Sequence, residues 1–220
     1  WLQVRQSRPD YVLLWGWGVM NSTALKEAQA TGYPRDKMYG SWWAGAEPDT
    51  RDVGEAAKGY NAVALQVSAD HGAGVVKETL DKLYAKGKGT AASKDEVGDV
   101  LWLRGAMSSM LVVEGVRAAQ ERFGKGKVMN GEQVRWGLEN LNLTQARLNE
   151  LGFGKILRPV QTSCSNHLGT DWARVAQWDG SGWKVVSDWY QADKSMVEPL
   201  VKEYGEKYAK EKNVKMRTCN

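Results

Sequence analysis

Tryptophan is the side chain with the most chemical reach in this sequence: eleven Trp stand against two Phe. Four of them, Trp15, Trp17, Trp42 and Trp43, crowd the ends of two short apolar runs, Tyr11-Val12-Leu13-Leu14-Trp15-Gly16-Trp17-Gly18 and Met38-Tyr39-Gly40-Ser41-Trp42-Trp43. An indole offers a broad apolar face, one N–H donor and a ring quadrupole that attracts cations. Chemistry from such a group is non-covalent: it grips a small organic guest. Each run precedes a stretch that reads as helix, and in an open α/β sheet ligands bind beyond the carboxyl ends of the strands. Alternate strand residues share a face, so Trp15 and Trp17 could instead pack together as core. Trp42 and Trp43, read as strand, point to opposite faces, so at most one of them is core. Gly16, Gly18, Gly40 and Gly45 favour open strand ends. At least two of the four indoles are expected to line a ligand cleft.

Covalent and metal chemistry have weaker footing. Asp70-His71-Gly72-Ala73-Gly74 brings glycines to a strand-to-helix junction but lacks both phosphate-loop spacings, so a loop needing positive φ is the simpler account. His167 lies near Cys164 and Ser165, yet adjacency in sequence does not supply an oriented base, and a polar-loop histidine is the default. Two Cys and two His far apart offer no metal-ligand spacing. No carboxylate pair is distinguished by context. The expectation is no catalytic residue, no metal and no cofactor. Cys164 and Cys219 are either one clip tying down the C-terminal tail in an oxidising compartment or two separate thiols.

The bulk figures fit a globular protein with ample length for a core. Apolar residues make up 42% of 220, and 30 basic against 26 acidic side chains leave a net charge of +4, with both signs interleaved. The run Lys202–Lys212 reads as a solvated helix face, so no nucleic-acid partner is expected. No apolar run is long enough for a membrane span. The start at Trp1, inside what reads as a helix tail, is expected to reflect processing of a longer chain or a piece of one.

The first ninety residues alternate strand and helix. Strands are expected at Tyr11–Trp15, Met38–Trp43 and Tyr60–Val67. The helices between them include one capped by Asn21 or Ser22 that carries Ala24, Leu25 and Ala28 and stops at Gly32-Tyr33-Pro34. Another runs through Val75, Val76, Leu80 and Leu83 to Gly87. Ala56-Ala57-Lys58-Gly59 reads as a turn. This alternation implies βαβ units and a parallel sheet. From Asp95 to Arg122 a long helix is expected, stopping at Phe123-Gly124, followed by helices at Gly131–Asn140 and Leu143–Leu151. Nothing in that block supplies a sheet for the long helix. Strands return at Val160–Cys164, Ala173–Trp178 and Trp183–Tyr190, the last two joined by the hairpin loop Asp179-Gly180-Ser181-Gly182, and Asp193–Lys212 closes as helix.

The order of segments resembles the type I periplasmic solute-binding proteins of ABC importers, in the branched-chain amino acid-binding family. The resemblance rests on Pro9–Gly16, Leu25–Ala28 with Gly32, Ala56–Tyr60, Leu103–Ala106 with Glu114–Ala119, and Gln177–Trp183 with Asp188-Trp189. It implies an α/β fold: a parallel-sheet lobe of a two-lobed type I binding protein, with the other lobe only partly present. Residues 1–92 would belong to the C-terminal lobe, 93–156 would be a helical segment of the N-terminal lobe, and 157–220 would hold crossing strands, hairpin and C-terminal helix.

The resemblance also implies roles. In amino-acid-binding members an aromatic residue after the first of these strands stacks on the ligand, and Trp17 holds that place. An acidic residue after the next strand meets the ligand ammonium, and that place falls on Trp42. A buried cation there would lose its partner unless Glu47 reaches in. A Trp-lined cleft suits an aromatic or aliphatic carboxylate, an amide, or a quaternary ammonium, and Arg104 could meet a carboxylate or serve a structural ion pair. The implied function is a periplasmic or membrane-anchored ligand-binding component that closes on its solute and engages ABC transporter membrane subunits, a monomer when full length. The alternatives are an extracellular carbohydrate-active protein, which needs two carboxylates flanking the tryptophans, and a sensory ligand-binding domain of the same fold.

Overall fold

The computed structural model describes residues 1–66, 68 and 74–219. A short helix α1 (Leu2–Ser7) leads into β1 (Val12–Leu14), α2 (Val19–Ala30), β2 (Met38–Gly40), α3 (Glu47–Thr50) and β3 (Asn61–Ala64). β1, β2 and β3 are parallel, with Val12 opposite Met38 and Tyr39 opposite Asn61. α2 buries Ala24, Leu25 and Ala28 on one face, the expected set, and Gly32 ends the segment at φ 70°. Its start differs from the expectation. The helix begins at Val19 behind Gly18, and Asn21 is an interior residue with a fully buried side chain rather than a cap. Its amide has tertiary partners, so it is not spent on the helix end.

The second strand is shorter than expected. It stops at Gly40, and Trp42–Ala44 form a 3₁₀ turn, so the strand argument about opposite faces does not apply to Trp42 and Trp43. The polar stretch after them folds as α3 and a 3₁₀ segment, Arg51–Ala57, because Asp49 turns back to accept the N–H of Ala46. β3 ends at Ala64; Val67 and the Asp70-His71-Gly72-Ala73 stretch lie outside the described residues.

The middle block is helical: α4 (Gly74–Lys82), α5 (Val100–Phe123), α6 (Gly131–Leu138), the short strand β4 (Asn142–Leu143) and α7 (Gln145–Glu150). α5 starts at Val100 rather than Asp95 because Lys94–Glu96 is a separate 3₁₀ turn and Gly98, at φ 112°, interrupts the helical path. It packs on α6 where Gly115 meets Gly137; a Cβ at Gly137 would overlap the Gly115 carbonyl, so only glycine permits this approach. Leu101, Val112 and Val113 of α5 remain exposed. Asn130 and Gln133 cap α6 reciprocally, and Thr144 caps α7, which displaces Leu143 from the expected helix into β4.

β5 (Val160–Gln161) pairs with β4, after which β6 (Trp172–Trp178) lies antiparallel to β3 and extends the parallel layer to β7 (Trp183–Val185). The hairpin forms at the expected loop, where Asp179 Oδ1 accepts the N–H groups of Ser181 and Gly182, both at 2.8 Å. The expected last strand is broken. Ser187 takes up the Val175 N–H, and the chain returns as β8 (Tyr190–Gln191) beside the start of β6. Asp193 caps α8 (Lys194–Lys212), which buries none of its side chains. Cys164 and Cys219 are disulfide-bonded, which resolves the two readings in favour of the clip. Arg217 reinforces it with a two-point pair to Glu139, 2.8 Å at Nη2.

The apolar interior falls into two clusters. One gathers Leu25, Met38, Tyr60 and Trp178 around the parallel strands; the other gathers Val76, Leu103, Leu148 and Ile156 around the helices. Within the second, the buried Glu114 carboxylate accepts from Arg147 (2.7 and 3.0 Å) and Arg117 (2.9 and 3.1 Å), joining α5 to α7. Those guanidiniums hold its carboxyl down at about 2. Because the folded value lies below the unfolded one, the stabilisation is present above about 4.5 and fades as pH falls through about 2. Glu114→Ala removes the carboxylate that joins the two arginines, which keep Glu121 and Glu150 as partners, and is expected to cost about 2 kcal/mol in urea unfolding at neutral pH, with the gap to wild type narrowing in acid. An unchanged midpoint would remove this ion triad from the account of stability.

Candidate ligand-binding site

The 3₁₀ turn carrying Trp42 and Trp43 is the centre of the site. Its chain direction is set where Ser41 N–H donates to Leu14 O at 2.9 Å, just past the carboxyl ends of β1 and β2. Three consecutive carbonyls then receive donors from three elements. Arg104 Nη2 of α5 donates to Trp42 O at 2.8 Å, Asn21 Nδ2 of α2 to Trp43 O at 3.0 Å, and Tyr60 Oη to Ala44 O at 2.8 Å. Gly40 leaves room for the last of these, since a Cβ there would overlap the Tyr60 hydroxyl. Burial pushes the Tyr60 hydroxyl well above its ordinary range, so it stays protonated and donating. Asn21 Nδ2 also donates to Asp49 Oδ1 at 3.0 Å, so one amide holds both the turn and the start of α3.

On this frame the indoles form a row. Trp15 meets half-buried Trp42 edge-on with centroids 5.5 Å apart, and Trp42 lies 6.1 Å from Trp43. The Arg104 guanidinium stacks 5.2 Å from the Trp43 ring. Trp15 is 71% exposed, Trp17 64% and Trp43 45%, so none of these three is sealed in the core. Trp42 and Arg104 line a narrow cleft that admits little more than a water-sized guest in this form and runs over the face of β3 between the turn, the start of α5 and β6–β7. Trp15 and Trp43 flank it through Trp42, whereas Trp17 stands at the start of α2 and does not line it.

Sequence reasoning missed the other walls: Gly45, the small side chains Ala62 and Ala64, Gln66, Val100 and Trp183. Trp183 had a signal, being the first residue after the hairpin loop, opposite Trp178. The alanines of β3 had none. The remaining tryptophans of the hairpin region are structural. Trp178 is buried, Trp172 and Trp189 sandwich Arg158 at 4.8 and 5.6 Å, and Arg174 adds a 4.4 Å stack on Trp189. His167 is solvent-facing, with Nε2 3.5 Å from Glu139 Oε1.

Glu47 does not reach the cleft. Its Oε2 accepts the N–H of Val100 at 2.9 Å and so closes the N-terminus of α5 from α3, while Arg51 pairs with Asp99 at 2.9 Å alongside. Asp49 is spent on Asn21 and Ala46. Neither carboxylate is free to face an ammonium or flank a glycosidic bond. Among the described residues no His, Cys, Asp and Glu cluster could hold a metal.

The model of one protein family, described as periplasmic binding protein, matches residues 1–183. The chain belongs to that family. A solved structure titled as an ABC transporter permease from the Pseudomonas fluorescens group is 38% identical, covers 100% of this chain and 52% of its own, and superposes with a TM-score of 0.91. A branched-chain amino acid ABC transporter from Thermus thermophilus with bound valine shares the binding-protein fold at 18% identity, covering 90% of this chain and 50% of its own, TM-score 0.71. So does an R. palustris ABC transporter solute-binding protein in complex with benzoate, at 16% identity, 87% and 47% coverage and TM-score 0.58. No curated protein matches. The chain therefore spans about half the length of these solved relatives.

Burial raises the Glu47 carboxyl to about 7, against the lowering effect of the Val100 N–H; nearby Asp99 adds to the rise and Arg51 opposes it. A folded value above the unfolded one means stability is fullest below about 4.5 and is lost as pH rises through about 7. Glu47→Gln keeps an acceptor for Val100 without the charge. It is expected to remove about 2–3 kcal/mol of the fall in unfolding free energy between about pH 5 and 8; parallel wild-type and variant profiles would exonerate this carboxyl.

Proposed function

We propose that this chain is the C-terminal part of the substrate-binding component of an ABC importer, which holds a small hydrophobic or aromatic, amino-acid-like or carboxylate solute between two lobes and closes about a hinge. The observation that carries this reading is the indole row Trp15–Trp42–Trp43, exposed at both ends and half-buried at its centre, beside a cleft at the carboxyl ends of β1–β3. Exposing that much apolar surface costs free energy that a ligand face recovers at about 25 cal/mol per Å². Trp42 and Arg104 are the proposed wall of the closed site, with Trp15, Trp43 and, from the edge, Trp17 reaching the solute. Solved structures of the same fold hold valine and benzoate.

The two core clusters support a division into two bodies. Val76 of α4 packs in the helical cluster, which favours grouping α4 with the helices in the proposed division. The disulfide suits an oxidising compartment, in keeping with a periplasmic or membrane-anchored extracellular location. Among the described residues no helix is long and apolar enough to cross a membrane. The proposed partners are the solute and the transporter's membrane subunits; binding and closure require no catalytic residue.

Native mass spectrometry of the full-length protein from its source is expected to show one small solute per chain. Trp42→Ala is expected to weaken that solute about 30-fold by calorimetry, the loss of roughly 2 kcal/mol of ring contact. Undiminished affinity in Trp42→Ala, or turnover of a bound sugar on incubation, would overturn the reading.

A further inference from the structure

The polar groups of the residues that line the cleft are unevenly matched. Arg104 Nη2 is used on Trp42 O, but Nη1 is buried and has no acceptor among the described residues. Trp183 Nε1, in the same cleft, is likewise buried without an acceptor. Gln66 and Ser68 are neutral, and among the described residues no carboxylate lines the cleft. Asp49 of α3, whose charge acts on Arg104, is committed to Asn21 and Ala46, and Glu47 of the same helix is committed to Val100. Burial works against the Arg104 charge while Asp49 supports it only at a distance. A half-buried guanidinium with an idle N–H calls for an anion, because an unmet buried donor carries its desolvation cost in full. An ammonium in the same place would meet one cation and, among the described residues, no uncommitted counter-charge.

Resting on the importer reading above, we propose that Arg104 is the residue that selects the solute's charge, so that the cargo carries a carboxylate and no ammonium group. The carboxylate takes the Arg104 Nη1 donor, Trp183 Nε1 offers a second N–H in the same cleft, and the apolar remainder lies along Trp42, Ala62 and Ala64. Free α-amino acids are then disfavoured, since their ammonium has no acceptor of negative charge among the described residues of the cleft.

The test uses full-length protein, stripped of bound solute, and tryptophan fluorescence titrations with three matched pairs of probes. Benzoate and hexanoate are the carboxylates, benzamide and hexanamide their neutral twins, and phenylalanine and leucine the zwitterions. At least one carboxylate is expected to bind ten-fold or more tighter than both its amide and the amino acid, and mass analysis of the solute carried from the source is expected to find an acid without a basic nitrogen. Arg104→Gln is expected to cost the preferred carboxylate about 50-fold and its amide less than three-fold, with thermal melting run alongside because the variant also loses a bond to Trp42 O. The wild-type comparison needs no variant, so a folding defect leaves it intact. Equal binding of acid and amide, preference for an amino acid, no response to either carboxylate, or a carried solute that is neutral or zwitterionic would overturn the charge assignment. If Trp42→Ala still weakens that carried solute, the cleft reading survives the failure; if Trp42→Ala does nothing, the cleft itself is wrong.

Discussion

The site depends on three carbonyls. A 3₁₀ turn between a strand and a helix leaves backbone oxygens that must find partners or bear the cost of burial. Here the oxygens of Trp42, Trp43 and Ala44 are met by a guanidinium, a carboxamide and a phenol drawn from α5, α2 and the residue before β3. Because the donors come from separate elements, the turn cannot shift without breaking more than one bond. The row of indoles inherits that rigidity, which is why rings can stay exposed and still hold one geometry.

The same bonds link the two apolar clusters. Arg104 on Trp42 O, Glu47 on Val100 N–H and Arg51 on Asp99 all run from the parallel-strand side to α5 or the residue before it. Polar ties of this kind can be exchanged for water at modest net cost, whereas each cluster would resist being pulled apart. A few directional bonds, one of them made by a carboxyl that burial pushes up to about 7, therefore run between the two apolar clusters.

Much of the architecture was legible because it follows local pattern. The apolar face Ala24–Leu25–Ala28, the glycine stops and the Asp179–Gly182 hairpin all express short-range chemistry, and each is found where the pattern puts it. What was illegible is tertiary. Asn21 reads as a cap because its amide suits one, yet it is consumed by Trp43 and Asp49, more than twenty residues away. Met38–Trp43 reads as one strand because aromatic residues favour strands; the Tyr60 hydroxyl, bonded to Ala44 O beside Gly40, helps hold the residues beyond it in a turn instead. Ala62, Ala64 and Val100 line the cleft together only because the tertiary fold brings the start of α5 across from β3, which no spacing within either element encodes. Trp17 was placed by its position in a motif, and position alone does not say which way the chain turns after Gly16.

The bridge from Cys164 to Cys219 has a topological result. Everything between the two sulfurs, including β6–β8 and the whole of α8, forms a covalent ring, and α8 contributes no buried side chain of its own. A protease cut at a single place inside that ring would open it without releasing either piece, and unravelling of α8 would leave its far end anchored. A helix that buries none of its side chains is kept in place by a bond that packing does not supply.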